Sequence, residues 1–198
     1  MAIILASQSP RRQELLRLLG VDFTIRTADI DETMDPALPP EEEVLRVGAE
    51  KAKTVAAACG AEDIVIAADT IVVVDGRILG KPKNAEDAVR MLELLSGRGH
   101  TVMTGVTVLR GAQIQSRVVS TQITFRRLTR REIEAYVSSG EPMDKAGAYG
   151  IQGRASIFVE HLEGDYFCVM GLPVCTLAQM LRAYGIEVLG ENGKGTGA

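Results

Sequence analysis

Cysteine and histidine are scarce in this 198-residue chain. The three cysteines, Cys59, Cys168 and Cys175, are odd in number and form no C-x-x-C pair. Free thiols in a reducing cytosol are the simple reading, so a cytoplasmic protein is expected. The two histidines, His100 and His161, lie far apart without an H-E-x-x-H motif. A zinc site is therefore not expected. No G-x-S-x-G supports a Ser–His–acid triad. The glycine-rich loops of P-loop and dinucleotide folds are also missing. No apolar run approaches the roughly 18 residues of a transmembrane helix. The first apolar run has no basic region before it, which argues against a signal peptide. Arg11-Arg12 is followed by Gln13-Glu14 rather than an apolar segment, so it is no export signal. An excess of positive charge is absent too. The net charge is −4, which argues against a general nucleic-acid or anionic-membrane binder.

What is present is enough apolar residue to build a core, 46% of the chain. That suits one sizeable α/β domain or two lobes sharing a core. Ile3–Leu5 reads as a strand. Ser9 and Pro10 then start a helix that ends at Gly20. Phe23 to Ala28 reads as a strand, Asp29 to Thr33 as an acidic loop, and Pro36 to Pro40 as a linker. Glu41-Glu42-Glu43 opens a helix whose stripe Val44, Val47, Gly48, Ala52, Val55, Ala56 and Cys59 is flanked by Lys51 and Lys53. Ile64 to Ala68 has the composition of a strand buried on both faces. It continues over Ile71 to Val74 and turns at Asp75-Gly76 into Arg77-Ile78-Leu79. Asn84 and Thr129 cap two further helices. Thr101 to Arg110 and Gln113 to Phe125 form a long hairpin. Gly147 to Gly153 reads as a tight loop, Ile157 to Glu160 and Phe167 to Met170 as strands, and the last helix runs to Tyr184. The expected architecture is α/β, a mixed twisted sheet with long antiparallel hairpins and two lobes around a central cleft. A single domain over 1–190 with a frayed tail at 191–198 is expected.

The chemistry concentrates in a few places. Arg11 and Arg12 fall in a first helical turn, where backbone N–H groups already favour an anion, so phosphate is the natural guest. Asp69 follows directly on an apolar strand. There a carboxylate must be paired, protonated or metal-bound, and desolvation would raise its pKa towards that of a general base. Glu32 and Asp31, with Asp69, could supply hard oxygen ligands to Mg²⁺ or Mn²⁺. Lys53, Lys81 and Lys145 are candidate phosphate partners, Lys81 most of all because Gly80 and Pro82 fix its backbone. Gln152, among three glycines, carries an amide able to donate to uracil O4 and accept from N3–H.

These segments resemble the Maf family of nucleoside triphosphate pyrophosphatases. The matching text is Leu5-Ala6-Ser7-Gln8-Ser9-Pro10-Arg11-Arg12, Ala68-Asp69-Thr70, Gly80-Lys81-Pro82, Leu95-Ser96-Gly97 through His100 to Thr104-Gly105-Val106, Gly140-Glu141-Pro142, Asp144 to Gly153, and Val169-Met170-Gly171-Leu172-Pro173. Ala148-Tyr149-Gly150-Ile151-Gln152-Gly153 is similar to the branch acting on dTTP and UTP. The resemblance implies the fold of the inosine-triphosphate pyrophosphatase group. It also implies hydrolysis of a triphosphate to monophosphate and pyrophosphate with a divalent metal cation, in a homodimer. It marks Asp69 as proton acceptor and Arg12, Thr70 and Gln152 as specificity positions. Ser7, Arg11, Glu32, Lys53 and Lys81 match further polar positions of the family site. Whether Asp69 is the base or a metal ligand stays open. Two other readings do as well: broader housecleaning of modified pyrimidine or purine triphosphates, and a non-catalytic nucleotide-binding regulator of cell division.

Overall fold

The computed structural model describes residues 1–27, 29–35 and 37–189. It divides the chain into two compact units. The first comprises Met1–Asp69, Thr104–Val119 and the chain from Gly171 onward; the second comprises Thr70–Met103 and Ser120–Met170.

In the first unit, β1 (Ile3–Leu5) lies parallel to both β2 (Thr24–Ile25) and the first half of β3 (Ile64–Val74). Register pairs Leu5 with Ile25 on one side and with Ile66 on the other. Residues Ile64 to Ala68 are fully buried, as the absence of alternation predicts for a two-sided strand. α1 (Pro10–Arg17) begins with Pro10 at its first position, and Ser9 Oγ accepts from the backbone N–H of Arg12. α2 (Pro40–Ala56) carries three glutamates in its first turn, where the helix dipole favours them. Its apolar face packs Ala52 and Val55 on Ile4, Ala6, Val65, Ala67 and Leu109. Glycine lets this helix come close to β5 (Gly99–Arg110). A Cβ on Gly105 would stand 2.7 Å from the carbonyl oxygen of Val44.

In the second unit, the far half of β3 forms a hairpin with β4 (Arg77–Leu79) through Asp75 and Gly76. Both turn residues have positive φ, 50° and 71°, as a type I′ turn needs. α3 (Ala85–Leu95) is capped by Asn84, whose side chain accepts from Asp87 N at 2.8 Å. β6 (Gln113–Phe125) pairs antiparallel with β7 (Val159–Glu163). α4 (Arg130–Val137) starts with a full capping box between Thr129 and Glu132. The core joins Val72, Leu92, Leu95, Phe125, Ile133 and Phe158. Strand order is β2-β1-β3-β5-β6-β7, with β4 beside β3. The expected mixed α/β sheet with long hairpins is present.

Three local expectations change. Phe167 to Met170 belongs to a helix, α5 (Tyr166–Met170), rather than a strand. Asp165 Oδ1 accepts from the N–H groups of Phe167 and Cys168 at 2.7 and 3.2 Å, which is a helix-start cap. The strand expected at Ile157–Glu160 shifts to Val159–Glu163, because Arg154–Phe158 forms a 3-10 turn. The strand expected from Phe23 shrinks to Thr24–Ile25, and Ala28 and the 191–198 tail lie outside the described residues. α6 (Val174–Arg182) is the last helix among the described residues.

Candidate functional site

The first unit gathers its polar groups at the end of β1, the start of α1 and the middle of β3. Asp69 is buried at 7% exposure. Its Oδ1 accepts from Lys51 Nζ at 2.7 Å. The same ammonium meets Glu32 Oε1 at 2.8 Å. Lys51 therefore bridges the two carboxylates proposed for metal binding. Among the described residues, nothing hydrogen-bonds Asp69 Oδ2. A buried carboxylate oxygen left in this state costs free energy, and the cost persists only where something else compensates it. α2 delivers Lys51 by close packing. A Cβ on Gly48 would touch Thr107 Oγ1 and the Gly105 carbonyl oxygen at 3.5 and 3.6 Å, and Lys51 follows one turn later on the same face.

Arg12 lies beside this pair. Its Nε donates to the carbonyl of Gly171 at 2.8 Å and its Nη1 to Ser7 Oγ at 3.4 Å. Ser7 Oγ also accepts from Ser9 N at 3.2 Å. Burial is the largest influence on the Arg12 guanidinium and pulls its pKa below the ordinary value. Asp69 pulls it back up, Arg11 pushes it down, and Glu32 raises it. These couplings put Arg12 within electrostatic reach of Asp69, Glu32 and the second arginine. Ser7, Arg12, Glu32 and Asp69 are thus brought together, with Arg11 next to Arg12 in the same helical turn. Lys53 is not among them: it is exposed on α2.

The second unit holds the other expected residues. Thr70, next after Asp69 in β3, is half-buried, and Lys81 and Gln152 are exposed. Gly80 O accepts from Gly147 N at 3.0 Å, so the residue before Lys81 is tied to the segment that carries Gln152. Gly147 has φ of +65°, and a Cβ there would stand 2.8 Å from Val72 Cγ2; only glycine fits. Lys145 Nζ is engaged by the Glu141 carbonyl at 2.6 Å and by Asp144 Oδ1 at 2.7 Å.

The family model described as Maf-like protein matches residues 2–184. This chain belongs to the Maf-like family. Members similar to it include a dTTP/UTP pyrophosphatase of Moorella thermoacetica, 50% identical over 191 residues, covering 96% of this chain and 98% of that protein. A dTTP/UTP pyrophosphatase of Bacillus cereus (strain AH820) is 48% identical over 186 residues, 94% of this chain and 97% of that one. Among solved structures, a nucleoside-triphosphatase / dITP/XTP pyrophosphatase from Mycobacterium abscessus is similar at 18% identity with a TM-score of 0.41, over 65% of this chain and 76% of that one.

Within this Maf-like chain, Lys51 is the member of this cluster that was not among the residues expected from the sequence. A signal was available. Val44, Val47, Gly48, Ala52 and Val55 define a buried stripe, and Lys51 occupies one of its positions. A lysine on a buried face requires a carboxylate partner. His100, part of the family text, has a structural role here. It is 3% exposed, its Nε2 lies 2.8 Å from Tyr149 Oη, and Phe125 and Tyr149 stack edge-on against its ring. Burial drives its pKa down to about 4, so it is neutral at pH 7.

Proposed function

We propose that this protein hydrolyses dTTP and UTP to the monophosphate and pyrophosphate. The observation that carries the reading is the buried Asp69. Lys51 fixes one of its oxygens, the other has no partner among the described residues, and Arg12 is electrostatically coupled to it. Two relatives of nearly the same length, both called dTTP/UTP pyrophosphatase, support the substrate class.

In this reading, Asp69 accepts the proton of the attacking water. The water oxygen bonds to the α-phosphorus, the bond from that phosphorus to the β-phosphate oxygen breaks, and pyrophosphate leaves with the electron pair. Lys51 holds Asp69 in one orientation and keeps its buried charge tolerable. Ser7, Arg11 and Arg12 at the start of α1 offer donors to the phosphates, and Lys81 offers another. Fixed donors of this kind contribute most where charge develops in the transition state. Lys53 stands on the motif alone; Lys51 has the supporting geometry. Arg12, Thr70 and Gln152 select the base. An amide held in one orientation donates to uracil O4 and accepts from N3–H, whereas cytosine presents the opposite pair.

Magnesium or manganese suits the donor set. Glu32 and Asp69, both in contact with Lys51 Nζ, are the two carboxylates that would hold it; among the described residues no group of three or more acidic, His or Cys side chains converges. A cation that takes one or two carboxylates suits that pair; since Lys51 occupies Oδ1, Asp69 would hold it through Oδ2 only as the alternative to accepting the proton there, and Glu32 is the holder compatible with the base role. When bound, such a cation neutralises phosphate charge and polarises the α-phosphoryl group.

We place the activity in the cytoplasm, in a homodimer. Thiols at Cys59, Cys168 and Cys175 fit a reducing compartment, and two-fold dimers are the commonest assemblies. No helix among the described residues is long and apolar enough to cross a membrane.

The test is pyrophosphate release on adding UTP and Mg²⁺, followed by competition among UTP, dTTP, CTP and 7-methyl-GTP. The reading expects UTP and dTTP to win and Gln152→Ala to flatten the preference. Nucleotide binding without pyrophosphate release would leave only a regulatory role, and equal rates for all substrates would favour a general housecleaning enzyme.

A further inference from the structure

The turn that carries Gln152 is wrapped around one carboxylate. Glu141, in the 3-10 turn Glu141–Asp144, uses both of its oxygens. Oε2 accepts from the backbone N–H of Arg154 at 3.1 Å. Oε1 accepts from the hydroxyl of Tyr136 at 3.1 Å. That hydroxyl in turn accepts from the backbone N–H of Gly150 at 3.3 Å. The two backbone anchors are therefore Gly150 and Arg154, the residues two before and two after Gln152. A Cβ on Gly153 would stand 2.0 Å from Glu141 Oε1, and one on Gly150 would stand 2.6 Å from Lys145 Cε. A side chain at either position would have to displace the Glu141 carboxylate or the Lys145 stem, so the turn presses directly onto both. Gly153 N also donates to Gly150 O at 3.1 Å, closing the turn on itself. Tyr136 is 4% exposed and sits edge-on to Phe158 in the core. Burial is the largest influence on its phenol and raises its pKa, with the Glu141 charge next. The hydroxyl thus stays protonated and able to donate.

We propose that Glu141, acting with Tyr136, is a positioning residue that holds the backbone presenting the Gln152 amide and thereby supports base selectivity. The proposal rests on the reading of Gln152 given above. A glutamine on a loosely held turn can present its amide either way round, and the two orientations match opposite base edges. Both Glu141 oxygens are engaged inside the turn, and by clamping the backbone on both sides they fix where the Gln152 side chain starts and so narrow the poses its amide can take against a base.

The experiment compares kcat/KM for UTP over CTP in the wild type, Gln152→Ala, Glu141→Ala, Glu141→Gln and Tyr136→Phe, with amide hydrogen exchange at Gly150 and Arg154. Tyr136→Phe keeps the ring in the core and guards against a Glu141→Ala variant that fails to fold. Glu141→Ala and Tyr136→Phe are expected to cut the UTP:CTP ratio about tenfold, the factor that goes with one lost hydrogen bond. The fall should fall on UTP turnover, and Glu141→Ala should add nothing in a Gln152→Ala background. Glu141→Gln, which keeps one acceptor, should lie between. Exchange at Arg154 should accelerate in Glu141→Ala, and exchange at Gly150 in Tyr136→Phe. A wild-type ratio in both Glu141→Ala and Tyr136→Phe, while Gln152→Ala flattens it, overturns the positioning role and leaves the Gln152 reading standing. A wild-type ratio in Gln152→Ala overturns that reading and the positioning role with it.

Discussion

Replacing Lys51 by methionine removes the ammonium and keeps most of the stem's volume. The structure sets the size of the effect. Lys51 and Asp69 are 9% and 10% exposed in their side chains and meet at 2.7 Å. Glu32, the second partner at 2.8 Å, is 46% exposed. Its contact is screened by water and contributes under about 1 kcal/mol. The Asp69 contact is different. Removing one member of a buried pair strands the other charge, which costs about 3–5 kcal/mol. Arg12 remains in electrostatic reach of Asp69 and offsets part of that. The expected loss for Lys51→Met is therefore about 3 kcal/mol, near the low end of the range for stranded buried charges. Asp69→Asn removes the charge but keeps an acceptor for Lys51, so it should cost only about 1 kcal/mol. Combining the two substitutions should recover about 2 kcal/mol relative to their sum, because no charge is stranded in the double variant. Urea unfolding, with unchanged slopes, measures all four corners of the cycle. A Lys51→Met cost under about 1 kcal/mol, or additivity within about 0.5 kcal/mol, would refute the claim that Lys51 supports a buried Asp69 charge.

Two further outcomes follow from packing and titration. His100 has a folded pKa of about 4, below the 6.5 of an unfolded histidine. Its stabilising contribution is complete above pH 6.5, is lost as pH falls from 6.5 towards 4, and is absent below. The full swing is about 3 kcal/mol. Chemical denaturation from pH 7 to 4 checks it; His100→Phe should remove this component of the slope, and an unchanged slope would count against the buried neutral imidazole. Gly105→Ala places a Cβ 2.7 Å from the Val44 carbonyl oxygen, a backbone atom that cannot swing aside. It should lift α2 from β5, cost about 2 kcal/mol, and lower kcat by displacing Lys51, measured by unfolding and turnover together. Wild-type turnover in a folded Gly105→Ala protein would show that α2 placement does not control the site.

How much of this was legible depended on whether the decisive contacts were local. Ser9 with Pro10, Asn84 with Asp87, and Thr129 with Glu132 cap their helices as read, since each cap is closed within three residues. The all-apolar run before Asp69 became the buried half of β3. Phe167 to Met170 failed because four residues carry too little periodicity to separate strand from helix, and the Asp165 cap that decides it lay just before the run. Ser7, Arg11, Arg12 and Asp69 stand within the family text, whereas Glu32 lies outside the quoted stretches and was reached only as a further polar position of the family site. Lys51 required the opposite inference, from a charge placed on an apolar stripe to a buried partner 18 residues away. The Glu141 clamp was beyond sequence reading altogether. Nothing in Gly153 itself says that a carboxylate from a turn 12 residues earlier fills the space of its missing Cβ; only tertiary packing shows it.

In the proposed reaction the carboxylate at the middle of β3 is the proton acceptor of pyrophosphate-releasing hydrolysis. Turnover of UTP by Asp69→Asn at saturating Mg²⁺, on protein shown to be folded, addresses it most directly. The account predicts that pyrophosphate release falls about a thousandfold, as loss of a positioned base does. Turnover close to that of the unsubstituted protein would contradict it.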